Sequence, residues 1–82
     1  MLEEITVRDW IAGKGYQRPG KGRRFSLPRT RLNPQMPEFE VVEVHAGEGS
    51  KDCCLVAKLA EGTPSQKAQR LEFLGDRYVV PL

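Results

Sequence analysis

The chain has 82 residues, 39% apolar and 29% charged, which suits one small globular core and leaves no room for a second. Its 13 Lys and Arg against 11 Asp and Glu leave a formal charge of +2, too small by itself to name a partner. No apolar run approaches the roughly 20 residues of a membrane-spanning helix, and Met1-Leu2-Glu3-Glu4 lacks the basic-then-apolar pattern of a secretory signal, so a cytoplasmic domain without membrane contact is expected.

The first element in chain order is a short helix. Thr6 suits its N-cap, with Asp9 three residues on in a capping-box pattern. Ile5 and Trp10 are spaced for a hydrophobic staple, Val7, Trp10 and Ile11 share one face, and Gly13 supplies the stop. A two-turn helix is unstable alone in water, so Trp10 must dock it on the rest of the domain. Residues 13–22 hold four glycines and Pro19, which makes a loop. Residues 23–27 read as a short strand with Phe25 and Leu27 on one face. Pro28, Pro34 and Pro37 then break the chain, with Leu32 and Met36 as the expected anchors of that stretch.

The second half is richer in strand formers. Residues 39–45 form a strand ending at the Gly47/Gly49 turn, and Cys53–Leu59 form the next, with Cys53, Leu55, Ala57 and Leu59 on one face. Residues 69–80 carry the strongest hairpin signal. Gly75-Asp76 suits a two-residue turn of mirror-image type, which would set Phe73 opposite Tyr78 and Leu71 opposite Val80. Thr63-Pro64-Ser65-Gln66 also starts a capped helix over 63–71, and the sequence leaves helix and extended chain both open there. The expected architecture is α+β and mainly antiparallel β. A short N-terminal helix (1–13) and a basic Gly/Pro-rich loop with a short strand (14–38) precede the sheet (39–82). Four or five antiparallel strands curl into a partial barrel, all within a single domain.

The small net charge hides a segregation. Between Asp9 and Glu38 lie Lys14, Arg18, Lys21, Arg23, Arg24, Arg29 and Arg31, with no acidic residue, so this segment is +7 and the remainder is +2 − 7 = −5. Such a field favours polyanions or an acidic protein face. Cations on a glycine-rich loop can follow a nucleic-acid backbone, RNA or DNA, while Tyr16 and Phe25 are candidates to stack on bases. The bland counterpart is a basic loop neutralised by the domain's own Glu38, Glu40, Glu43 and Glu48. A small protein that binds an acidic partner with the same loop is the rival function, and a domain this small also invites self-association.

Val7-Arg8-Asp9-Trp10-Ile11 followed by residues 22–32 resembles the end of a recognition helix and the basic wing of excisionase-type winged helix-turn-helix proteins. The resemblance implies base contact by Arg8 and phosphate contact by Arg23 and Arg24. That family's supporting first helix has no counterpart in residues 1–5, and the spacer 12–21 is long and glycine-rich.

Catalytic chemistry has a thin basis, and a non-enzymatic binding protein is expected. Gly13-Lys14-Gly15 and Gly20-Lys21-Gly22 lack the Ser or Thr after the lysine and the following helix of a nucleotide-binding loop. His45 is the only histidine, and it approaches Cys53 or Cys54 across a turn with no orienting third group singled out. Glu40 and Glu43 are expected on opposite faces of their strand. Two adjacent cysteines make neither a disulfide framework nor a four-ligand zinc site, so no metal or cofactor is expected, and one thiol should be buried and the other outward.

Overall fold

Strand β1 (Ile5–Thr6) runs directly into helix α1 (Val7–Ala12), and the backbone donors at that junction are all accounted for. The Val7 and Arg8 N–H groups donate to the carbonyls of Arg77 and Gly75, both at 2.9 Å, and Asp9 N–H donates to Thr6 Oγ1 at 3.1 Å. Gly13 closes the helix in the left-handed conformation, φ +80°. The computed structural model describes residues 3–32, 34, 36–49 and 51–82.

The remaining elements are β2 (Arg24–Ser26), β3 (Glu38–His45), β4 (Cys54–Leu59), α2 (Pro64–Lys67), β5 (Leu71–Leu74) and β6 (Tyr78–Pro81). All strand pairs are antiparallel, in the order β1-β6-β2-β3-β4-β5, and the sheet is not closed. The mainly β architecture and curled sheet match expectation. The sixth strand is the two-residue β1, which the sequence assigns to the helix lead-in. α1 leaves β1 at one edge and packs on β4 and β5 at the other, bridging the open side. No described helix is long and apolar enough to cross a membrane.

The expected C-terminal hairpin does not form. Gly75 has no positive φ, as either mirror-image turn would require, and the Leu74–Arg77 turn is closed by Arg77 N–H on the Leu74 carbonyl at 3.0 Å. A turn of that hand splays its flanking strands. β5 therefore pairs with β4, while β6 crosses to β2 and β1, so Phe73 lies opposite Leu55 and Tyr78 opposite Thr6. Gly75 is needed here for closeness: a Cβ would stand 3.1 Å from the Cys53 carbonyl oxygen.

Residues 63–71 divide between the two readings. Thr63 and Gln66 make a full reciprocal capping box, Gln66 N–H to Thr63 Oγ1 at 3.2 Å and Thr63 N–H to Gln66 Oε1 at 3.0 Å. α2 buries no residue, so nothing rewards a second turn, and the chain is extended again from Leu71.

The core gathers four aromatic rings. Phe25 lies 5.7 Å from Trp10, 5.6 Å from Phe39 and 5.2 Å from Phe73, centroid to centroid. Val7, Ile11, Val41, Cys53, Leu55, Ala57 and Val79 complete it, and Ile5 and Leu27 pack against its margin. Cys53 is buried and Cys54 half-buried, both free thiols, as alternation along the strand requires. Leu32 is not the anchor expected: it is 99% exposed, while Met36 is half-buried.

Candidate functional site

The basic residues sit on two loops that flank β2, residues 13–23 before it and 27–37 after it. β2 is three residues long, so the loops leave its ends only ~10 Å apart. The first loop is held from inside by its apolar members. Trp10 Nε1–H donates to the Gln17 carbonyl at 2.9 Å, Pro19 is buried, and half-buried Tyr16 packs on the core with its hydroxyl 3.4 Å from the Glu3 carbonyl. Its charged members face solvent. Lys21 occupies the second position of a turn closed by Arg23 N–H on the Gly20 carbonyl at 3.1 Å, and Gly22 at φ +89° takes the third position as a type II turn demands. Gly22 N–H to the Val41 carbonyl and Val41 N–H to the Arg23 carbonyl, both 2.9 Å, clamp this turn onto β3. Arg18 lays its stem over Gly13.

Lys14, Arg18, Lys21, Arg23, Arg24, Arg29 and Arg31 are all exposed. Only Arg24 has an acidic partner among the described residues, Glu38 Oε2 at 3.2 Å. Two of the other three acids proposed as neutralisers are engaged elsewhere: Glu40 with Lys58 at 3.8 Å, and Glu43 with Arg70 and, at 3.6 Å, His45. Glu48 is exposed in the β3–β4 turn, with no ion pair among the described residues. Six of the seven cations therefore keep their charge facing water.

Register explains that distribution. β3 carries a bulge, Val41 opposite Ala57 and Glu43 opposite Val56, with Val42 as the additional residue. The bulge resets alternation, so Glu40 and Glu43 share the outer face rather than lying on opposite faces. There Glu43 meets Arg70 before β5, and Glu40, which lies between Arg24 and Lys58 in register, pairs with Lys58, while Arg24 reaches Glu38 at the start of β3.

Of the two aromatic stacking candidates, Phe25 is removed by its position. It is fully buried at the hub of the aromatic cluster, because it is the inward member of β2. Tyr16 is half-buried. The exposed aromatic missed in the sequence is Tyr78, 54% accessible and paired with Thr6. The alternation Tyr78 out, Val79 in would have pointed to it had the hairpin register not placed it opposite Phe73. The helix-and-wing resemblance has no structural counterpart: α1 is six residues long, buries Val7, Trp10 and Ile11 against the sheet, and no helix precedes it among the described residues.

His45 and Cys54 are direct cross-strand partners on the outer face. Burial, then the charges of Glu72, Cys53 and Glu43, push the Cys54 thiol up, away from the thiolate a nucleophile needs. His45 faces Glu43 instead, whose carboxyl is held below the usual range first by its hydrogen bond to Arg70 and by that residue's charge. Among the described residues no three His, Cys, Asp or Glu side chains converge to hold a metal ion. Comparison with protein-family models, curated proteins and solved structures finds no match for this chain.

Proposed function

We propose that this domain binds nucleic acid through its two basic loops, with Lys14, Arg18, Lys21, Arg23, Arg29 and Arg31 on phosphates and Tyr16 and Tyr78 as the accessible rings. The observation that carries the reading is that these six cations are exposed and have no acidic partner among the described residues, while Glu38, Glu40 and Glu43 are paired with other residues. A field of this kind costs self-repulsion in the folded state, and a polyanion relieves it. Arg24, paired to Glu38, contributes less. Recognition through phosphates makes binding tolerant of sequence, and the action is binding rather than catalysis. Vicinal free thiols suit a reducing compartment such as the cytoplasm.

Fluorescence anisotropy with labelled single-stranded RNA, single-stranded DNA and duplex DNA at about 50 and 200 mM salt tests the reading. Six phosphate contacts predict a slope of log affinity on log salt of roughly −4 to −5, a loss of several hundred-fold across that range. Lys21→Glu and Arg23→Glu should each weaken binding to all three probes alike. A shallow slope dominated by one or two arginines would instead mark an acidic protein surface as the natural partner. Absence of binding at 50 mM salt sinks the proposal.

A further inference from the structure

Two features on the second basic loop and its neighbour are unexplained by phosphate binding. Leu32 stands 99% exposed, beside Arg29 and Arg31. A groove of about 420 Å³ opens beside the edge strand β5, floored by Leu27, Phe39, Leu71 and Phe73. Its rim carries Glu72 and Asp76, two carboxylates against a single cation, Arg77. Apolar floor and acidic rim complement a leucine flanked by arginines, and β5 pairs on one side only, which leaves its outer backbone groups open to an incoming chain.

We infer that the occupant is a second copy of this chain: Leu32 of each protomer enters the Leu71/Phe73 groove of the other, with Arg29 and Arg31 against Glu72 and Asp76. Leu27 lines the groove and also begins the segment that leads to Leu32. Five residues span at most about 17 Å, and the chain bends at Arg31 and Leu32 within that reach. A two-fold axis passing beside Leu27 therefore lets both copies exchange segments, which gives a closed, self-complementary dimer. In the dimer the exchange takes Arg29 and Arg31 away from phosphate, so Lys14, Arg18, Lys21 and Arg23 of both copies carry the phosphate contacts, and the six-contact slope belongs to the monomer. Two such loops on one particle raise avidity for a long polyanion.

Sedimentation velocity from about 1 to 200 µM covers the range of such a modest interface. Wild type should shift from monomer to dimer within it, and Leu32→Asp should weaken dimerisation at least tenfold. Leu32 is fully exposed, so at concentrations where the wild type is monomeric this variant keeps wild-type thermal unfolding. Arg31→Glu and Glu72→Arg should each weaken the dimer, and the double variant should restore it. Wild type that sediments as a monomer throughout, or Leu32→Asp that dimerises as wild type does, overturns the inference. Nucleic-acid binding is read separately through Lys21→Glu and Arg23→Glu, which leave the dimer intact.

Discussion

Phe25 separates a core role from a ligand-facing role, and Phe25→Leu is the substitution that measures it. Leucine keeps most of the buried apolar area but removes three ring contacts, at 5.7, 5.6 and 5.2 Å between centroids. Ring pairs of this geometry contribute ~0.5–1.5 kcal/mol each beyond area, and they are not additive around one hub, so the expected loss is about 1.5–3 kcal/mol. A domain of this length has a total stability of roughly 4–12 kcal/mol, which leaves the variant folded but visibly weakened. Urea unfolding followed through Trp10, the only tryptophan, reads the change directly. With a slope near ~1 kcal/mol per molar, the midpoint should fall by roughly 1.5–3 M. Nucleic-acid affinity at a temperature well below the transition should stay within about twofold, inside the 1.4 kcal/mol that marks a tenfold change. An unchanged midpoint together with a tenfold loss of binding would show that bases reach Phe25, and the buried assignment would fail.

Trp10→Phe removes the indole N–H that holds the Gln17 carbonyl and leaves a gap in the buried core, so it should cost more than the about 1 kcal/mol of that hydrogen bond in unfolding. The same variant should be cut faster by trypsin at Lys14 and Lys21, because that bond ties the loop to the core. Gly22→Ala has open space for its methyl group but a positive φ to adopt, so it should cost about 1–2 kcal/mol by chemical denaturation, and it should weaken nucleic-acid binding because Lys21 loses its turn. Arg70→Ala should move Glu43 up toward the ordinary carboxylate range in a carboxyl ¹³C titration, since Arg70 is the main cause of its depression. A depressed carboxyl adds stability above its unfolded-state pKa and loses it as pH falls through the lowered folded value, so the two proteins should differ near neutrality and converge in acid. Equal titration of Glu43 in both proteins would contradict that pairing.

The parts of the fold legible in the sequence are those decided by near neighbours. Thr6, Asp9 and Gly13 mark α1 because caps act within one turn, and the alternation of Cys53, Leu55 and Ala57 marks the buried face of β4 because it follows the pleat. What failed was decided at longer range. Gly75-Asp76 is compatible with several turns, and its choice depends on the close approach of Cys53 and Arg8 to Gly75, neither of them near it in sequence. The Val42 bulge carries no local mark, yet it moves Glu43 onto the face of Glu40, where Arg70, a cation from outside the basic segment, takes it.

The charge segregation was legible because summing formal charge needs no register, but whether the charge is available depends on pairing. The glycine-rich loop shows the same division. Four glycines suggest an adaptable segment that a ligand would have to order, at a cost of ~1–2 kcal/mol for each backbone residue fixed. In the structure Trp10, Pro19 and the Gly22–Val41 clamp already fix that backbone, so its ordering cost belongs to folding rather than to binding. Affinity at these loops then depends on side-chain freedom and counterion release alone. Loosening the loop through Trp10→Phe should therefore weaken binding without removing a single charge. Restoring affinity in that variant by lowering the salt would match the expected balance, since screening and loop order act on it independently.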